Sequence, residues 1–124
     1  MKPGLLLFAH GARDPNWALP FEAVASAVRA ARPDQAVRLA FLEFMAPDIR
    51  SAVAELAAHG CEHVDVLPLF LGAGGHVRKD LPPLLDDLRV IHSSVSFTLH
   101  PAVGEAPSLV TAMAAVALSL KAAP

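Results

Sequence analysis

The sequence predicts an α/β fold: a single four-stranded parallel sheet flanked by helices on both faces, one domain over residues 1–124. Three observations predict it. The run Leu5-Leu6-Leu7-Phe8-Ala9 is unbroken apolar sequence, which suits a strand buried on both faces. It stops abruptly at His10-Gly11-Ala12-Arg13-Asp14-Pro15, and the same pattern returns where Val64 to Phe70 opens into Gly72-Ala73-Gly74-Gly75-His76. Between and after these runs, strand-like and helix-like segments alternate with short connections, which argues a parallel sheet covered on both faces.

In chain order, the first strand covers about Gly4 to Ala9, and Gly11 to Asn16 make a turn in which Asp14 or Asn16 can cap the next helix. Trp17 to Ala31 reads as that helix, with Phe21, Val24, Ala25 and Val28 on one stripe, and Pro20 is tolerated in its first turn. Val37 to Phe44 is the second strand. Glu43 lies near its carboxyl end, level with His10 if the strands are parallel. Pro47 opens the next helix, Ile49, Val53 and Leu56 mark its inner face, and Gly60 suits the position after its end. Val64 to Phe70 is the third strand, with Pro68 lacking a ladder donor. Asp80 caps a third helix that holds Pro82 and Pro83 in its first turn and Leu81, Leu84, Leu85 and Leu88 inside. Val95 to Leu99 is the fourth strand, and a last helix runs from Ser108 to about Lys121.

Composition narrows the function. Of 124 residues, 54% are apolar and 18% charged, which excludes a disordered chain, and a net charge of −2 gives no footprint of a nucleic-acid binder. A lone cysteine, Cys61, allows no intrachain disulfide and fits a reducing compartment. The amino terminus lacks a signal-peptide pattern and no apolar run reaches the ~20 residues of a membrane span, so the expectation is a cytoplasmic protein.

The chemistry on offer centres on two strand-end loops, each with one histidine and basic residues close behind. Imidazole both binds borderline divalent metals and exchanges protons near neutral pH. One loop histidine alone reads as a backbone-bonded residue; His10 and His76 in matching positions read as a shared site. Glu43 either completes a His/His/carboxylate set or is a solvated strand-end residue, and the sequence leaves both open. Arg13, Arg78 and Lys79 offer charges for an anionic ligand, with Arg supplying a bidentate fork; solvation is the plain alternative, most of all for Lys79. Asp14 and Asp80 read as caps. His59-Gly60-Cys61-Glu62-His63 resembles a metal cluster, but its members fall at a helix end and at the far end of a strand, so it is set aside. His92 and His100 carry no motif. The glycine-rich loop fails as a dinucleotide fingerprint, because the last glycine of G-x-G-x-x-G is Val77 here, and no Walker loop exists.

With both loops in view, the chain resembles the short sirohydrochlorin chelatases, the small CbiX type related to siroheme ferrochelatases. The matching pieces are His10-Gly11-Ala12-Arg13-Asp14-Pro15, Phe41-Leu42-Glu43 with Pro47, and Leu67-Pro68-Leu69-Phe70-Leu71. Gly75-His76-Val77, Asp80-Leu81-Pro82 and Pro101-Ala102-Val103-Gly104 complete the set. They cover nearly the whole chain in order; Ala12 stands where the family usually has serine.

The resemblance implies a class II chelatase half, a flavodoxin-like three-layer sandwich, that pairs as a homodimer with tetrapyrrole clefts near the subunit interface. It places the family's metal-holding histidines on His10 and His76 and its acidic partner on Glu43. Arg13 and Arg78 would meet substrate carboxylates, and Gly74 and Gly75 would let backbone approach a flat macrocycle. It implies no permanently bound cofactor: Fe²⁺ or Co²⁺ is the metal substrate, inserted into sirohydrochlorin for siroheme or cobalamin synthesis, with no nucleic-acid or membrane partner. Two rivals come from other classes. One is a non-catalytic tetrapyrrole or metal carrier. The other is a phosphohydrolase with His10 as nucleophile, disfavoured because Ala9 stands where such enzymes place arginine.

Overall fold

A computed structural model describes residues 2–72 and 74–121, with residues 75–77 described by their backbone alone. Its strands are β1 (Pro3–Ala9), β2 (Ala36–Phe41), β3 (His63–Pro68) and β4 (Ser96–Leu99), and its helices α1 (Leu19–Ala31), α2 (Ile49–Ala58), α3 (Gly75–Ile91) and α4 (Pro107–Leu118). All pairings are parallel and the order is β2-β1-β3-β4, with Leu7 opposite Leu39 on one side and Leu67 on the other. The expected α/β architecture is therefore present.

Side-chain alternation divides the core into two layers. Leu6, Phe8, Ala40, Val64, Val66 and Phe97 meet the inner faces of α2 and α3, where Ile49, Val53, Leu56, Leu85 and Leu88 are buried. Leu7, Ala9, Val37, Leu39 and Phe41 point the other way, onto α1. β1 is central to both layers: Leu6, Leu7, Phe8 and Ala9 are all essentially inaccessible. Truncating Leu6 or Leu7 to alanine would cost ~2–5 kcal/mol, so the strand that delivers His10 is firmly anchored in the core. Among the described residues, no helix is long and apolar enough to cross a membrane.

Several expectations need correction. The segment before α1 is a separate 3-10 turn, Pro15–Ala18, capped by Asp14, whose Oδ1 accepts from Asn16 N at 2.9 Å. Val24 does not join the buried stripe; it is exposed, because α1 packs through Ala25 with Phe21 and Val28 at the margins. β2 ends at Phe41 rather than Phe44. Pro47 does not open α2: it follows a cis Ala46–Pro47 bond, and Asp48 is the N-cap, its Oδ1 accepting from Ser51 N at 2.8 Å.

The largest revision concerns α3. It begins at Gly75 with Gly74 as N-cap, so Asp80 lies within the helix rather than at its cap, and Pro82 and Pro83 sit inside it. The prolines leave the Arg78 and Lys79 carbonyls without their i+4 donors. That is tolerable because this side of the helix is exposed at both prolines and at both carbonyl-bearing residues, while Leu81, Leu85 and Leu88 stay buried on the other.

α4 differs from the other three helices. It packs on the Val103–Glu105 turn, carries no charged residue, and leaves Val110, Met113, Val116 and Leu118 exposed.

Candidate active site

An open parallel sheet binds ligands outside the carboxyl ends of its strands, at the point where strand order reverses. In the order β2-β1-β3-β4 that point lies between β1 and β3. His10 is the first residue beyond β1, and Leu69 to Gly72 leave β3 beside it. The His10 ring packs on buried Phe70, centroids 4.2 Å apart and planes inclined by 41°, and Phe70 in turn meets Phe8 edge-on at 6.0 Å. An apolar floor thus holds the imidazole while the residue stays exposed.

The other flank is built by the end of β2. The parallel ladder runs past the strand: Leu42 N donates to Ala9 O at 2.9 Å and Glu43 N to His10 O at 3.0 Å. The register sets Phe41 opposite Ala9, so Leu42 is level with His10 and Glu43 lies one residue beyond, its backbone bonded to His10 and its side chain exposed. Gly11 makes the turn possible. It has φ +88°, and a Cβ there would lie 1.9 Å from Glu43 O. The residue after Glu43, Phe44, has φ +67°, which is strained backbone for a bulky side chain at ~1–3 kcal/mol. Its ring lies under the guanidinium of Arg13, 5.1 Å from Cζ to centroid. The strand ends thus bring His10, Glu43 and Arg13 to one edge.

His76 lies in the first turn of α3, directly after the loop leaving β3, and its side chain lies outside the described residues. Gly74 is extended, φ −62° and ψ 150°, and a Cβ on Gly72 or Gly74 would meet nothing within 4 Å. Among the described residues, nothing therefore requires glycine at either position. Arg78 lies near the start of α3. It pairs with Glu105 at 3.7 Å, both side chains exposed, on the wall of a hollow formed with Phe70 and Pro101. Among the described residues, no set of three His, Cys, Asp or Glu is grouped to hold a metal ion.

Two features escaped sequence reasoning. Gly104 is in close contact with the Leu71 carbonyl, and its N–H donates to Phe70 O at 2.9 Å; a Cβ there would lie 1.8 Å from Leu71 O. This pins the β3 loop that supports His10, and only the Pro101-Ala102-Val103-Gly104 match hinted at it. The second is a polar group on the open face of β3 and β4. Asp65 Oδ1 lies 2.8 Å from His100 Nε2 and 3.2 Å from His63 Nε2, while His63 Nδ1 lies 2.7 Å from Ser96 Oγ. The hydrogen bond from His100 holds the Asp65 carboxyl below its usual value, burial opposes this, and His63 adds to the lowering. His63 pairs with Pro3 at the start of β1, the end of the sheet away from His10. At that same end Cys61 is buried against Pro3, and burial pushes its thiol up. The His59–His63 run is thus structural.

A family model described as CbiX matches residues 4–119. A sirohydrochlorin cobaltochelatase from Methanothermobacter thermautotrophicus is 37% identical over 84 residues, 68% of this chain and 58% of that one. Its counterpart from Saccharolobus solfataricus is 34% identical over 82 residues, 66% and 62% of the two chains. The matched region thus spans less than two thirds of the length of these relatives. Among solved structures, a CbiX protein from Marinobacter aquaeolei VT8 superposes with a TM-score of 0.82 at 32% identity, covering 94% of each chain. The sirohydrochlorin chelatase SirB from Bacillus subtilis subspecies spizizenii, in complex with cobalt, superposes at 0.84 with 22% identity. That match covers 97% of this chain and 51% of SirB, and shows the shared fold.

Proposed function

The chain belongs to the CbiX family, and from that premise we propose that it is a sirohydrochlorin chelatase, inserting Co²⁺ or Fe²⁺ into the metal-free macrocycle. The observation that carries this reading is His10, an exposed imidazole on an aromatic floor at the β1/β3 switch point. The relatives named as cobaltochelatases favour Co²⁺; imidazole accepts both ions.

Insertion exchanges one divalent ion for two pyrrole protons. His10, after β1, and His76, in the first turn of α3, hold the ion and take up the protons, which requires both to be neutral when they act. Neutral nitrogen ligands bind first-row ions without the grip of thiolate, so transfer to the ring remains feasible. Glu43, bonded to His10 through the backbone, serves as a further ligand or as a base. Arg13 and Arg78 receive carboxylates of the macrocycle, and Gly74 and Gly75 leave room for its plane; the open space at Gly72 and Gly74 supports this. The metal is substrate, and the protein needs no resident cofactor, nucleic acid or membrane.

The functional unit is a homodimer of one-domain chains in the cytoplasm. Two observations support the pairing. α4 exposes an uncharged apolar surface of the kind that marks an interface. The open hollow beside Phe70 and Arg78 holds about 180 Å³, below the ~300–1,000 Å³ of ordinary small-molecule sites, which favours a cleft shared with a second copy.

The test is anaerobic sirohydrochlorin in excess over the protein, with Co²⁺ or Fe²⁺ and a protein-free control, followed by absorption. Many turnovers per chain support the enzyme. Stoichiometric binding without acceleration identifies a tetrapyrrole or metal carrier instead.

A further inference from the structure

Phe44 is an exposed aromatic residue at a position where the backbone disfavours any side chain. It is 58% exposed and φ is +67°, a conformation in which glycine would be the unstrained choice. It belongs to neither a strand nor a helix. Against its ring lies a cation, the guanidinium of Arg13, also exposed, at 5.1 Å. The residue before it, Glu43, is tied to His10 through the backbone, so the Phe44 backbone is held close to that of His10. Leu42, 41% exposed, adds apolar surface on the same strand end.

Resting on the chelatase reading above, we propose that Phe44 is a substrate-contact residue: its ring meets the flat face of the macrocycle and holds Arg13 where a rim carboxylate arrives. The physical fit is specific. A tetrapyrrole is a planar π-system edged with carboxylates, and an exposed aromatic ring carrying a guanidinium matches both parts at once. Strained, exposed residues persist where the surrounding structure overdetermines them, and here the His10–Glu43 ladder does so. An exposed aromatic could also be covered by a second copy of the chain, and the experiment separates that case.

Metal-free sirohydrochlorin is titrated anaerobically into the full chain and into Phe44→Gly, Phe44→Leu, Arg13→Ala and the Phe44→Gly/Arg13→Ala double variant. Sedimentation and Co²⁺ turnover are measured on the same samples. Phe44→Gly should raise Kd and KM by about tenfold or more with kcat changed less than about twofold, since the lost contact is present before and during insertion. Its melting temperature should not fall, because glycine relieves the positive φ. Phe44→Leu should lie between. Arg13→Ala should weaken binding less in the Phe44→Gly background than in the parent, as expected of a coupled pair. The proposal is overturned if Phe44→Gly binds within about twofold of the parent, or if its loss of affinity follows dissociation of the assembly. A parent chain that fails to bind sirohydrochlorin sinks the chelatase reading itself, a result visible before any variant is made.

Discussion

The backbone N–H of Glu43 donates to the carbonyl of His10 at 3.0 Å, beyond the end of either strand. Two sequence segments separated by a whole helix are thereby locked together, and the candidate acid and imidazole share a backbone reference. Gly11 sits inside this lock.

Gly11→Ala should therefore damage stability and function together. Its Cβ would collide with Glu43 O at a φ of +88°, so either the His10–Glu43 bond opens or the turn rearranges. The expected loss is ~2 kcal/mol or more, read as a lower urea midpoint, with metal insertion falling further than metal-free binding.

Asp48 caps α2, and its carboxylate is held below the ordinary 3.8 by the Ser51 hydrogen bonds. Asp48→Ala should cost ~1 kcal/mol near neutral pH. A lowered folded-state pKa means the contribution is present above 3.8 and fades as pH falls through the lowered value. Urea unfolding between about pH 2 and 6 should show this fading in the parent and not in Asp48→Ala.

His100→Ala removes the leading cause of the Asp65 shift, so the Asp65 carboxyl should titrate closer to its ordinary 3.8, measured by NMR on the side-chain carbon. Because the pair is partly exposed, the stability change should be small, ~0.5 kcal/mol. That stability is in place above pH 3.8 and is lost as pH falls through the lowered value.

Val116→Glu places a charge on the exposed apolar surface of α4. If that surface joins two copies, sedimentation should shift toward the monomer with the melting of the chain itself little changed. A dimer unaffected by Val116→Glu and Met113→Glu would place the interface elsewhere.

Much of the fold is legible in the sequence, and the misreadings share causes. β1 and His10 are plain because a doubly buried strand must be continuously apolar and must stop where solvent begins. The apolar pattern of β2 overruns the strand because Leu42 and Phe44 continue it; in the structure both are exposed, and Phe44 has left the strand conformation. The start of α3 is masked because Pro82 and Pro83 obey a first-turn rule and Gly72 to Gly75 read as loop, whereas Gly74 is the cap. Asp65 and His100 are 35 residues apart, and only the β3–β4 register, which sets Asp65 opposite Thr98, makes them neighbours. Gly104 is opaque for the same reason: the carbonyl it makes room for belongs to Leu71, beyond another strand end. Within the candidate site, the nearness of His10 and Glu43 is readable from parallel strands, although the register sets Glu43 one residue beyond His10, and the Arg13–Phe44 contact depends on a positive φ that no pattern of apolar residues encodes.

The most direct test of the paired-histidine chelatase is Co²⁺ insertion into sirohydrochlorin by the parent, His10→Ala and His76→Ala, with metal-free binding measured alongside. Both variants should bind the macrocycle within about threefold of the parent while turnover falls by ~10²-fold or more. Turnover that survives in either variant would contradict the pairing, and a parent no faster than the protein-free control would contradict the enzyme.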